Sequence, residues 1–233
     1  MSTNVVAFSG GKDSTALALR LHELGERFSL LFTATGNELP ELWAHFDEVV
    51  RMTGATVIRP KAPTLAGLIG EFKALPNNRQ RWCTRLIKIR PCLDWMKLNP
   101  GITLCVGLRA DEDSRVGIYG NVKTRYPLRE WGWNEADVKR YCLERGVKVP
   151  RRTDCAVCYD QRLSEWRRLW IRYPEEWAQG EQWEALTGHT FRSPSRDTWP
   201  ASMRELRAEF ERGRVPRGGD DSDEEQACRA CRL

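Results

Sequence analysis

The first residues that could do chemistry stand close together. Ser9-Gly10-Gly11-Lys12-Asp13-Ser14 places two glycines, a cation, a carboxylate and two hydroxyls in six positions. Glycine lets backbone amides approach an oxygen-rich ligand and takes up positive φ without strain. Lys12 adds a full charge, and Ser9 and Ser14 add donors. The expected guest is the phosphate of a nucleotide, held by Ser9, Gly10, Gly11, Lys12, Asp13 and Ser14. Asp13 is alternatively a residue that orients Mg²⁺ or the start of a helix. The stretch is not a Walker A loop, since Gly-x4-Gly-Lys-Ser/Thr is absent.

The second chemistry-bearing set is cysteine. Cys155-Ala156-Val157-Cys158 is one Cys-x2-Cys and Cys228-Arg229-Ala230-Cys231 is another. Thiolates at this spacing converge on one ion, and two pairs give a tetrahedral S4 set. Such a set is a structural zinc site of Cys155, Cys158, Cys228 and Cys231. Alternatively, Cys228 and Cys231 form a mobile dithiol on the acidic, glycine-rich tether before them. Cys105 and Cys142 read as core residues, and His189 as structural.

A third set is cationic. Residues 79–91 carry Arg79, Arg81, Arg85, Lys88 and Arg90 around Cys83. This is an anion clamp or a solvated helix face; guanidinium suits bidentate contact with phosphate or sulfate. Arg109, just past an apolar run, is the residue expected to face nucleotide phosphates or sulfate. Arg162, Arg167, Arg168 and Arg172 mark a second basic face, either solvated or docking a nucleic-acid backbone.

These groups need elements to position them. Residues 5–8 read as a buried strand and residues 14–21 as a helix, so the glycine turn lies at a helix N-terminus. Its amides are unpaired there and the helix dipole is positive. Residues 28–33, 56–59 and 102–106 read as further strands. Pro40 opens a helix with Leu42, Trp43, Phe46, Val49 and Val50 on one face. Residues 62–75 form another with Leu65, Leu68, Ile69 and Phe72. Asn134 caps a helix that Gly146 stops, and two more helices fall between the Cys pairs. Strands alternating with helices imply an α/β fold with a parallel sheet, whose ligands sit at the carboxyl ends of the strands. Both the Ser9 turn and Thr35-Gly36-Asn37 fall at such ends.

Composition sets the bounds. The chain has 233 residues and a formal net charge of +5. The tail from Gly213 holds four Arg against five acids, leaving about +6 on the rest. That suits a polyanionic small substrate and tolerates nucleic acid. No apolar run approaches the ~18 residues of a membrane span and the sequence opens without a signal-peptide pattern, so no membrane association and a cytoplasmic location are expected. Eight cysteines there read as ligands or redox groups.

The Ser-Gly-Gly-x-Asp-Ser loop resembles that of the PP-loop superfamily. Thr35-Gly36-Asn37-Glu38-Leu39-Pro40-Glu41 resembles the Asp-Thr-Gly-x-x-x-Pro-Glu segment of the phosphoadenosine phosphosulfate (PAPS) reductase family, with Ala34 in the Asp position. Cys83 and Lys88 match its Cys-Cys-x-x-x-Lys-x-x-Pro element, with Thr84 replacing the second cysteine. Gly107-Leu108-Arg109 and Pro127-Leu128-Arg129-Glu130-Trp131 are similar to two later segments. The likeness spans about residues 4–160.

The resemblance implies a doubly wound, mostly parallel sheet with flanking helices, here followed by a small helical Cys-bearing part. The divisions expected are residues 1–150, 151–212 and 213–233. It implies an adenine nucleotide (ATP, PAPS or adenosine phosphosulfate, APS), with Thr35 and Gly36 lining the nucleoside and Lys88 and Arg109 on the distal anion. It also implies a thioredoxin-like thiol donor or a sulfur donor as partner. Family members with iron–sulfur clusters pair a central cysteine with a later Cys-x2-Cys, so a 4Fe-4S cluster on Cys83, Cys155 and Cys158 stands beside zinc. The expected chemistry is reduction of PAPS or APS with release of sulfite. The family's C-terminal Glu-Cys-Gly-x-His motif is absent, which leaves two alternatives: ATP-dependent adenylation with sulfur transfer to tRNA or DNA, and a non-catalytic nucleotide or zinc module.

Overall fold

The computed structural model describes residues 4–112, 114–115 and 119–217. Its centre is a five-stranded, all-parallel sheet. In chain order the strands are β1 (Asn4–Ala7), β2 (Phe28–Leu31), β3 (Thr56–Ile58), β4 (Thr103–Cys105) and β5 (Thr124–Arg125). They lie side by side as β3-β2-β1-β4-β5. The order reverses direction at β1, so the crossovers leave a crevice between the carboxyl ends of β1 and β4. Strands β1 to β4 follow the apolar runs of the sequence; β1 is offset by one residue, and β2, β3 and β4 are shorter than their runs. The two-residue β5 has no apolar run to announce it.

Alternation along the strands sends side chains to opposite faces. Val6, Leu30 and Cys105 sit in one row, because Val6 is paired with both others. They join a core with α1 (Lys12–Glu23), α2 (Pro40–Thr53) and α6 (Glu135–Glu144). Val5, Leu31 and Leu104 point the other way, toward Cys92 and Met96 of α4 (Arg90–Leu98). Helices thus cover both faces, as in a doubly wound fold. Cys105 and Cys142 are buried as expected.

A second apolar cluster lies off the sheet. It joins α3 (Leu65–Phe72), Trp82 and Ile87 to residues of α7 (Leu163–Arg172), α8 (Pro174–Thr187) and α9 (Met203–Glu211). Its aromatic packing includes Trp166 edge-on to Trp177 at 6.2 Å. Six of the ten tryptophans belong to this cluster or pack against it.

Several boundaries move for physical reasons. The helix expected over residues 62–75 spans only Leu65–Phe72. Thr64 caps it by accepting from the Gly67 amide at 3.1 Å, and Lys73 ends it at φ +48°. Residues 79–91 divide into a π-helical turn, Thr84–Ile89, running into α4. That turn buries Thr84 and Ile87 and leaves Arg85 exposed. Asn134 forms a reciprocal cap with Asp137, as its type suggested. The short α5 (Pro127–Glu130) and α9 go beyond the elements read from sequence. Among the described residues no helix is long and apolar enough to cross a membrane.

Candidate nucleotide cleft and the adjoining cysteine loop

A cleft of about 750 Å³ opens at the carboxyl ends of β1 and β4. Ser9, Gly11, Lys12, Asp13, Ser14, Lys88 and Arg109 all line it. The phosphate turn is self-supported. Ser14 Oγ donates to the Gly11 carbonyl at 3.0 Å and accepts from the Ser9 amide at 3.2 Å. Gly10 sits behind the lining at φ +75°, and a Cβ there would lie 2.2 Å from Leu42 Cδ1. Only glycine meets both demands. Gly107 is the matching constraint from β4: a Cβ would fall 3.1 Å from the backbone of Asp13 and Ser14. The two strand ends are therefore packed backbone to backbone across the crevice.

Gly11 is the N-cap of α1, and no side chain caps that end. The first amides of α1 are left for a ligand. Lys12 is buried, with Nζ 3.5 Å from Glu135 and no hydrogen-bond partner among the described residues. Asp13 Oδ1 is likewise buried and without such a partner. Burial raises the Asp13 carboxyl above its ordinary value, against the pull of Lys12 and Arg109.

Arg109, 8% exposed, lines the cleft with its guanidinium held by carboxylates. It donates to Asp13 at 3.0 Å and to Asp111 at 2.9 Å, with Glu112 at 3.7 Å. Burial disfavours its charge, but these carboxylates outweigh that and raise its pKa. Arg115 is bonded to Glu112. Glu135 is held below the usual carboxylate range: burial opposes this, and Lys12, Lys139 and Arg109 overcome it. The cleft is thus a matched array of cations and carboxylates. Sequence reading missed Glu135, because nothing local marks the first residue after a helix cap as a partner of Lys12.

Thr35 and Gly36 stand beside this cleft without lining it. Glu38, which does line it, folds back and accepts from the Thr35 amide at 2.5 Å, the Thr35 hydroxyl at 2.6 Å and the Gly36 amide at 3.0 Å. Thr35 is buried, and its hydroxyl lies 3.4 Å from Cys155 Sγ. The Cys-x2-Cys loop is docked here. Ala156 N donates to the Asn37 carbonyl at 2.6 Å, and Val157 N to the Asn37 side chain at 2.9 Å. Gln161 braces the loop from within, accepting from Cys158 N at 3.1 Å and donating to the Ala156 carbonyl at 3.0 Å. Thr153, two residues before Cys155, lines the cleft, and its hydroxyl would be 3.4 Å from a Cβ on Gly11. The cysteine loop and the phosphate turn are neighbours.

Cys83, Cys155 and Cys158 all contribute to the second apolar cluster. Cys158 is fully buried, and burial pushes its thiol well up. Among the described residues no group of three or more His, Cys, Asp or Glu is arranged to hold a metal ion. Cys228 and Cys231 lie outside the described residues.

The model of the phosphoadenosine phosphosulfate reductase domain matches residues 3–151. No curated protein matches the chain. Among solved structures, the PAPS reductase of Candida auris in its phosphate complex is 16% identical, with a TM-score of 0.50 over 64% of this chain and 75% of that one. The U34-tRNA thiolase NcsA of Methanococcus maripaludis, solved with its 4Fe-4S cluster, is 16% identical, with a TM-score of 0.49 over 99% and 80%. The NMN synthetase of Francisella tularensis is 13% identical, with a TM-score of 0.46 over 94% and 89%. At these identities the likeness is one of fold.

Proposed function

The chain belongs to the phosphoadenosine phosphosulfate reductase domain family, and from that premise we propose that it activates an oxygen atom with ATP and replaces that oxygen with sulfur. The observation that carries this reading is the charge balance of the cleft. Lys12 faces Glu135, and Arg109 faces Asp13 and Asp111. A sulfonucleotide with phosphates on two sides of its ribose needs spare cations. A triphosphate arriving with magnesium brings its own positive charge, and Mg²⁺ needs only one or two carboxylates besides phosphate oxygens. Asp13 Oδ1 is the residue atom that would hold it.

In this reading the α1 amides and Lys12 bind the non-bridging phosphate oxygens and stabilise the charge that develops on them. The acceptor's carbonyl oxygen attacks the α-phosphorus; the bond to the β-phosphate breaks and pyrophosphate leaves. A sulfur nucleophile then attacks the activated carbon, the C–O bond breaks, and AMP leaves. Cys155, held against Thr35 beside the cleft, is the thiol that would take sulfane sulfur from a persulfide donor, whose own thiol leaves. The terminal sulfur of the Cys155 persulfide attacks the carbon, and a second thiol then breaks the S–S bond, releasing the product and leaving a disulfide with Cys155.

Family membership favours a second reading, reduction of PAPS or APS. There a thiolate attacks the sulfonucleotide sulfur, and a second thiol releases sulfite as a disulfide forms. The two readings separate in one pair of assays. ATP with magnesium, a persulfide donor and tRNA or DNA as acceptor should release pyrophosphate, lost in Lys12→Ala. Sulfite from PAPS with dithiol reductant, and no pyrophosphate from ATP, would reverse the choice.

A further inference from the structure

Two carboxylates of the cleft reach both of its buried cations. Asp13 lies 4.0 Å from Lys12 Nζ and 3.0 Å from Arg109. Glu135 lies 3.5 Å from Lys12 Nζ and 4.0 Å from Arg109. Asp13 belongs to the phosphate turn itself. Glu135 comes from another segment, the first position of α6, and its side chain is 44% exposed where that of Asp13 is 22% exposed. Asp13 is built into the turn; Glu135 stands at the rim with room to move aside.

Helix α6 holds Lys12 by both its backbone and its side chain. The Cys142 thiol donates to the Lys12 carbonyl at 3.8 Å, and Glu135, about two turns earlier on the same helix, faces the ammonium. Past the end of α6, Arg145 pairs with Glu23 at the end of α1, so the two helices are clamped side by side. Lys12 Nζ has no hydrogen-bond partner among the described residues. A buried ammonium in that state is costly unless a carboxylate stands near it, and Glu135 supplies one from outside the turn.

We propose that Glu135 is a specificity-determining residue: it offsets the charge of Lys12, so that the cleft takes a triphosphate with its magnesium and turns away bare polyanions. The reason is Coulombic. A carboxylate beside the phosphate position repels every negative charge of the ligand, and the repulsion is stronger in a cleft than in open water. Metal-free ATP carries about −4 and its magnesium complex about −2. The penalty on the bare anion is therefore about twice as large in free energy. When phosphates arrive, Lys12 turns to them, and Lys139, 3.4 Å away on the next turn of α6, keeps Glu135 paired. This rests on the reading of the cleft as a site for ATP with magnesium, and it assigns the selectivity of that site to one side chain.

The test is calorimetric titration of the full chain with ATP in excess magnesium and with ATP in EDTA. The wild type should prefer ATP with magnesium. Glu135→Gln keeps the size of the side chain and removes its charge. It should tighten metal-free ATP by about tenfold and magnesium-bound ATP by about threefold, so the preference narrows by about threefold. A merely structural role for Glu135 would weaken both ligands and give no gain. Glu135→Asp keeps the charge and should keep the wild-type preference. Glu144→Gln removes the same charge from the other end of α6, about 13 Å away, and should leave both affinities unchanged. Unchanged or weaker binding of metal-free ATP in Glu135→Gln, or the same gain in Glu144→Gln or Glu135→Asp, would overturn the proposal. Failure of the wild type to bind ATP in either form would overturn the cleft reading and this proposal with it. ATP binding whose magnesium preference is untouched by Glu135→Gln would overturn this proposal alone.

Discussion

The phosphate turn and the cysteine loop lie side by side, yet they are built in opposite ways. Ser9 to Ser14 is held by its own neighbours: Ser14 bonds to Gly11 and Ser9, and strand and helix are continuous with it. Cys155 to Cys158 is held from elsewhere, by Asn37 across the crevice and by Gln161 behind. A locally built site tolerates change outside itself. A site assembled from distant segments fails when any one of them shifts.

That contrast can be broken from either side. The largest effect is expected at Gly10. Gly10→Val forces a branched side chain into positive φ against Leu42, a combination of strain and overpacking worth about 3 kcal/mol or more. Nucleotide binding should be lost and the melting temperature should fall clearly. Full nucleotide affinity in that variant would mean the turn is not the phosphate site.

Asn37→Ala addresses the other region. It leaves the Val157 amide unpaired in a buried place, at a cost of about 1–3 kcal/mol. Cys155 should then react faster with iodoacetamide while ATP affinity stays within about threefold, below a cost of 1 kcal/mol. An equal loss of ATP affinity would show that the two regions are one cooperative unit.

Acid and base should separate the regions too. His45 is buried beneath the phosphate turn, 2.8 Å from Thr15 Oγ1, and burial pushes its pKa down to about 4. Below about 6.5 the unfolded chain binds the proton that the folded one refuses, so this contribution is lost as pH falls from 6.5 toward 4. Glu184 in the second core accepts from the Phe191 and Met203 amides, and burial pushes its pKa up to about 7. Its contribution is present at low pH and is lost as pH rises from about 4.5 to 7. Hydrogen exchange should show α1 and α2 loosening first in acid, and α8 and α9 first near neutrality, each by on the order of 3 kcal/mol. Identical profiles for both would remove the distinction. The smallest effect is expected at Arg207→Gln. Its pair with Glu181 is partly exposed, and such pairs contribute about 0–1 kcal/mol.

Much of the sheet was legible because its causes are local. Apolar runs of four or five residues, glycine turns and the caps at Pro40 and Asn134 act over a few positions. They specified β1 to β4, α2 and α6 before any contact was known. The turn at Ser9 declared an anion site for the same reason: a strand, two glycines and a helix start are contiguous. Where these elements meet is another matter. That Gly107 presses on Asp13, that Glu135 faces Lys12, and that Glu38 occupies the donors of Thr35 and Gly36 are results of topology, since each pair joins different segments or a folded-back side chain. Arg109 lines the cleft, but that its guanidinium is shared with Asp13 of another segment is likewise a result of topology. The second apolar cluster follows the same rule: Trp82 and Ile87 share it with Trp166 and Leu169, because burial of apolar surface is blind to sequence distance.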